Sequence, residues 1–317
     1  MLDNNIKRML DMVNQAKPES RDWHSVPMDY LRSTLARAST AFNLPPESVA
    51  HIHETNVPGP VGDIRVRIYH PDPTQQLPVV LFFHGGGFVV YDLETHDSIC
   101  RVIANGAQCV VVAVEYRLAP EHKFPSAIED AEAVLIWARD TASTWGGLNT
   151  RIGVMGDSAG GNIASVLCML YQYDEGFRPD FQCLVYPMLD ARAETHSRRL
   201  FASGFLLDSP LVEFFAKSYL NHPAEARDER VSPALCKDLT HFPATLIFTA
   251  GYDQVRDEGE AFFHRLQAAG VDVRYKCYEA LVHNFMQLGK IPAAGKALSE
   301  IASAVGSLAH SRHFSAC

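Results

Sequence analysis

The stretch with the strongest chemical signature is Gly156-Asp157-Ser158-Ala159-Gly160. It follows an apolar segment, Ile152 to Met155, and leads into a small-residue segment of helical character. G-x-S-x-G between a strand and a helix is the pattern of a nucleophile elbow. A serine on so tight a turn sits in strained backbone. Side chains two residues to either side would collide with the turn, which accounts for Gly156 and Gly160. The hydroxyl then stands at the head of a helix, where N–H groups and the macrodipole favour negative charge. Asp157 has no evident part in this chemistry and is expected to point away.

Three further features converge on Ser158. His84-Gly85-Gly86-Gly87-Phe88 directly follows an apolar run. Glycines there leave the backbone free to turn N–H groups toward a developing oxyanion, with the N–H of Ala159 as the expected partner donor. The His84 ring is expected to brace that backbone. Asp253 follows the apolar run 244–250, at a strand end where α/β sheets bind ligands. Asp257 is its rival, but its position falls inside the next helix. His283 comes after the last strand, completing the order Ser…Asp…His, and can take and return the serine proton. His96 and His122 read as surface or capping residues. No cluster has metal-ligand spacing, and no cofactor is expected.

The elements that must hold these groups read as an α/β protein. Ile64 to Tyr69 alternates like a half-buried antiparallel strand. Val79 to Phe83 and Val110 to Val114 are continuous apolar runs, as in parallel strands covered on both faces. Further strands are expected at 152–155, 181–186, 244–250 and 271–278. Helices are expected after Thr95 as N-cap, over 127–139, after Ser158, and at about 256–269 and 292–309. Strands alternating with helices imply a mostly parallel central sheet with helices on both faces. Residues 1 to about 45 read as two helical stretches that either pack on the core or help to cover a site. The rhythm breaks between about 190 and 230, where a helical insertion reads as a lid or as a decorated loop.

Composition narrows the partners. The chain has 317 residues with 47% hydrophobic and 21% charged, an ordinary globular balance. Its formal charge of −9, from 28 basic and 37 acidic residues, argues against nucleic acid and anionic membranes. The charged start, Met1 to Asp11, lacks the apolar core of a signal peptide, and no run approaches a membrane span. Seven cysteines form no C-x-x-C pair, which points to reduced thiols and a cytoplasmic protein.

Taken together, His84-Gly-Gly-Gly87, Tyr116-Arg-Leu-Ala-Pro-Glu121, Gly156-Asp-Ser-Ala-Gly-Gly161, Asp253 with Asp257-Glu-Gly259, and His283 resemble the hormone-sensitive-lipase-like family of α/β-hydrolases, bacterial acetyl- and carboxylesterases above all. The resemblance runs from about residue 55 to the end. It implies a single α/β-hydrolase domain over 1–317, with a helical cap from about 1–45 and about 190–230. It implies catalysis by Ser158, Asp253 and His283, and an oxyanion hole from Gly85, Gly86 and Ala159. Arg117 and Glu121 would brace the site from behind. The substrate would be a small ester of a short acyl chain, with Phe201, Phe205, Leu206, Phe214 and Phe215 as apolar walls, in a monomer or homodimer. An amide substrate uses the same triad, and a non-catalytic receptor would have no need of His283. Two positions depart from the family pattern: Gln254 stands where proline usually follows the acid, and Asn284 where glycine usually follows the histidine. Gln254 is expected to loosen the loop of Asp253. Asn284 tolerates the left-handed backbone that glycine would supply.

Overall fold

Eight strands form one sheet in the order β1-β2-β4-β3-β5-β6-β7-β8. They are β1 (His51–Pro58), β2 (Asp63–His70), β3 (Leu77–Phe83), β4 (Val110–Val114), β5 (Gly147–Asp157), β6 (Phe181–Val185), β7 (Ala244–Tyr252) and β8 (Val273–Val282). β1–β2 and β2–β4 pair antiparallel, and every other neighbour pairs parallel. The computed structural model describes residues 1–16 and 23–311. Cys317, and residues 17–22 of the expected cap, lie outside the described residues.

The continuous apolar runs become central strands because both of their faces are covered. Val79, Leu81 and Phe83 enter one buried cluster, while Val80 and Phe82 enter the other. β4 divides the same way, with Val110, Val112 and Val114 on one side and Val111 and Ala113 on the opposite side. Helices α4 (Ser126–Thr141), α5 (Ala159–Leu170) and α8 (Arg256–Ala268) contribute to the first cluster. Helices α3 (Leu93–Ala107) and α9 (Pro292–Ala309) contribute to the second. α5 is buried from Ala159 to Met169, consistent with its small and apolar composition.

Three readings of the sequence change. β1 was not expected: its run His-Ile-His-Glu-Thr-Asn-Val-Pro is too polar to signal a strand, and it forms because it is an edge strand paired only with β2. β2 is not half-buried, since every residue from Val66 to His70 is buried. The N-cap of α3 is Asp92, not Thr95. Thr95 sits three residues on, where its hydroxyl accepts from the Asp92 N–H while Asp92 accepts from the Thr95 N–H, a reciprocal capping box.

The remaining helices come from the N-terminal segment and from the insertion between β6 and β7. α1 (Asn4–Ala16) buries Ile6, Met9 and Leu10 in the second cluster, which Phe205 and Leu206 also join. α2 (Met28–Phe42) is tied down by Arg32, which donates to the carbonyls of Val89 and Ala119 and pairs with Glu121 at 2.7 Å. α6 (His196–Leu200) and α7 (Ser209–Tyr219) fill the insertion between β6 and β7. Phe214 of α7 packs on Trp23 and His24, joining the N-terminal segment to the insertion.

α3 and α9 meet through small residues. A Cβ added to Gly106 would stand 2.8 Å from the Ala302 Cβ. Gly106→Val is therefore expected to force the two helices apart and cost about 1–3 kcal/mol. A urea midpoint unchanged from wild type would contradict this close packing.

Candidate active site

Parallel pairing of β3 with β5 sets Phe83 beside Gly156, so the glycine loop and the serine turn leave the sheet side by side. Ser158 adopts φ 53°, ψ −115°, a strained conformation for a residue with a side chain. Two close approaches hold it there. A Cβ on Gly160 would lie 1.9 Å from the Phe83 carbonyl oxygen, and one on Gly156 would lie 2.2 Å from the Gly160 carbonyl carbon. The Ser158 N–H donates to the Val185 carbonyl at 2.9 Å, and the Ser158 carbonyl accepts from Met188. Asn162 donates to the carbonyls of Met188 and Val231, anchoring the first turn of α5.

His283 Nε2 lies 2.9 Å from Ser158 Oγ, and His283 Nδ1 lies 2.7 Å from Asp253 Oδ2. A carboxylate only accepts, so Nδ1 carries the ring proton and Nε2 is left to accept from the hydroxyl. Asp253 Oδ1 accepts from the Val255 N–H at 3.1 Å. Asp253 and His283 are buried, and Ser158 keeps 9% of its surface exposed. Asn284 takes the left-handed conformation at φ 63°, and its amide reaches Tyr91 Oη. Asp257 faces elsewhere, accepting from the Ser197 N–H at 2.8 Å.

The glycine loop is organised by Asp157. Gly85 donates its N–H to Asp157 Oδ1 at 2.9 Å, and a Cβ on Gly85 would meet Asp157 Oδ2 at 2.5 Å. The Gly85 N–H is thus committed, which corrects the expectation that it serves as an oxyanion donor. The N–H groups of Gly86, Gly87 and Ala159 find no protein acceptor among the described residues. Gly86 and Gly87 have φ of 103° and 62°, conformations that glycine tolerates. Gly87 and Ala159 border the same cavity as Ser158.

Behind this loop lies a buried polar network. Asp157 is wholly buried, with His96 Nε2 at 3.3 Å and Tyr186 Oη at 3.4 Å. Burial pushes its carboxyl up, but His96 and the Gly85 N–H outweigh burial and hold it below the usual aspartate value. His96 is buried and touches Gln287 and Thr95, so it is neither a surface nor a capping residue. His84 stacks on Tyr116 at 4.4 Å and its Nδ1 lies 2.8 Å from the Gly85 carbonyl. Burial, then the neighbouring His96, push its pKa down to about 4. Tyr116 Oη donates to the His84 carbonyl at 2.7 Å.

A cavity of about 70 Å³ opens onto Ser158. Its walls are mostly apolar, including Met188, Leu207, Val212, Phe215, Tyr219 and Val231. Phe215 was expected here. The other four expected wall residues lie elsewhere. Phe214 turns toward Trp23, Phe201 is buried on Tyr252 and under Arg256, and Phe205 and Leu206 join the cluster around α1. The sequence marked a helical insertion between about 190 and 230 but could not say which of its residues overlie the serine.

A family model for the alpha/beta hydrolase fold matches residues 80–287. The chain belongs to the α/β-hydrolase fold family. Within that family it is 40% identical over 259 residues to a protein of Mycobacterium tuberculosis named carboxylic ester hydrolase LipN, covering 79% of this chain and 69% of that one. It is 36% identical over 230 residues to an ethyl acetate hydrolase of Pseudomonas putida, covering 71% and 72%. Among solved structures, an ester-hydrolase from the metagenome of Lake Arreo superposes with a TM-score of 0.92 at 36% identity, covering 97% and 99% of the two chains.

Two other expectations change in this α/β-hydrolase. Arg117 and Glu121 do not brace the site. Arg117 pairs with the buried Asp130 and with Glu129, and Glu121 pairs with Arg32 at the surface. Gln254 does not loosen the acid loop: it is 2% exposed and bonded on both sides of its amide. The network of Asp157, His96 and Gln287 was missed, because its members lie on separate elements. The one available signal was Asp157 itself, at the end of the strand next to the glycine loop.

Charging His84 would place an N–H on Nε2, a buried atom with no hydrogen-bond partner among the described residues. The folded pKa lies below the ordinary 6.5, so the unfolded chain binds the extra proton first. Stability supplied by the neutral ring is present above pH 6.5 and is lost as pH falls toward 4. The expected loss through this one group is about 3 kcal/mol at pH 4. Denaturant titrations of wild type and His84→Asn should show a shallower acid slope in the variant. Equal slopes would contradict the assignment.

Proposed function

We propose that this protein is a serine carboxylesterase that hydrolyses short-chain acyl esters through an acyl-enzyme on Ser158. The observation that carries the proposal is the bonded chain Ser158–His283–Asp253, at 2.9 and 2.7 Å, opening on a cavity beside unpartnered N–H groups. Relatives named as ester hydrolases support the ester over the amide.

Ser158 Oγ attacks the ester carbonyl carbon as His283 Nε2 takes its proton. Asp253 holds the ring by Nδ1 and stabilises the imidazolium. The N–H groups of Ala159, Gly86 and Gly87 receive the charge on the carbonyl oxygen. His283 gives its proton to the leaving alcohol, and water repeats the sequence on the acyl-enzyme. Asp157 takes no proton here. It aims the loop by holding Gly85, so the donors need no reorganisation during reaction.

The mostly apolar walls of the cavity beside Ser158 suit a short apolar acyl chain. The cap of this reading comprises residues 1 to about 45 and about 190–230, with α7 placing Phe215 against Gly87. No helix among the described residues is long and apolar enough to cross a membrane. Among the described residues, five cysteines are buried and unpaired, which agrees with a reducing, cytoplasmic setting.

Ser158→Ala is expected to lower kcat on p-nitrophenyl butyrate by about 10⁴-fold or more, with an unchanged melting temperature. Turnover at the wild-type rate by the purified variant would refute the mechanism.

A further inference from the structure

The position after Asp253 departs from the family pattern, and the structure gives its occupant specific work. Gln254 is buried between the acid loop and the insertion that carries α6 and α7. Its Nε2 donates to the Leu207 carbonyl at 2.6 Å. Its Oε1 accepts from Ser209 Oγ at 3.1 Å. Its own carbonyl accepts from Ser197 Oγ at 2.7 Å. One residue therefore fastens α6, the 201–208 loop and the first residue of α7.

What it fastens is the cavity wall. Leu207 precedes α7, and Val212, Phe215 and Ala216 on α7 line the cavity above Ser158, as does Val255 beside Gln254. The wall approaches through strained backbone, since Leu206 has φ 67°. Such a conformation persists only where its surroundings over-determine it. The amide of Gln254, on the next carbonyl along, provides that constraint. A proline at 254 would keep the backbone carbonyl for Ser197 but offer neither side-chain bond.

We infer that Gln254 is a positioning residue that sets acyl-chain selectivity, by locking the Leu207–α7 wall to the loop of the catalytic acid. The inference rests on the esterase reading of the site. Freed of this clasp, the wall moves outward and the cavity admits longer chains. Asp253 keeps its bonds to His283 and to the Val255 N–H, so the proton chemistry is unaffected.

The test is a p-nitrophenyl ester series from acetate to octanoate on wild type, Gln254→Ala, Gln254→Pro and Ser209→Ala. The ratio of kcat/KM for octanoate to that for acetate should rise about fivefold or more in both Gln254 variants, as expected for loss of a net hydrogen bond. It should rise by a smaller factor in Ser209→Ala, which decides the matter should the Gln254 variants fail to fold. The change should lie mainly in KM, and the pH midpoint of kcat/KM should stay put. An unchanged ratio in folded variants would overturn the inference. So would a uniform fall in kcat at every chain length with a shifted pH midpoint, which would mean that Gln254 acts through Asp253. A wild-type protein that turned over none of these esters would overturn the esterase reading and this inference with it.

Discussion

The constraint on which the site depends is the contact between the start of α5 and the end of β3. Gly160 lies so close to the Phe83 carbonyl that even a methyl group has no room. This approach fixes the helix against the sheet and holds the strained turn at Ser158. It also brings the Ala159 N–H next to the loop that follows β3. Neither the proposed nucleophile nor the proposed oxyanion donors could be placed by local sequence alone. They are placed by two adjacent parallel strands whose ends carry glycines.

Asp157 turns that proximity into geometry. Its side chain crosses from the end of β5 to the glycine loop and takes the Gly85 N–H. A buried carboxylate needs compensation, and Gly85, His96 and Tyr186 supply it. The cost of burying this charge is offset by a fixed loop, in which the N–H groups of Gly86 and Gly87 have no protein acceptor among the described residues. Preorganised donors in a site shielded from water account for much of the rate enhancement in acyl transfer. His84 contributes as a neutral ring wedged between Tyr116 and the loop.

Much of this was legible in the sequence, for identifiable reasons. Continuous apolar runs marked the central strands because burial on both faces leaves no alternation to hide in. Ser158, Asp253 and His283 stood out because each follows a strand in the order that brings the three together. The edge strand β1 was invisible, since polar residues facing solvent carry no hydrophobic signal. The assignment of Gly85 as a donor failed because the sequence cannot show that a neighbouring strand end presents a carboxylate to it. The cavity walls were misread for a similar reason. Phe201, Phe205, Leu206 and Phe214 are apolar to satisfy packing among helices, and only the folded chain shows that Phe215 and Leu207 face the serine. Gln254 read as a loss of rigidity because its two side-chain partners, Leu207 and Ser209, lie more than forty residues away.

The most direct test of the central claim is covalent trapping of the nucleophile. The protein would be treated with a fluorophosphonate ester and its peptides mapped by mass spectrometry. A single adduct on the peptide containing Ser158, blocked by prior incubation with a short-chain ester substrate, is the predicted result. An adduct on a different residue, or no adduct on a protein that still hydrolyses esters, would contradict the account.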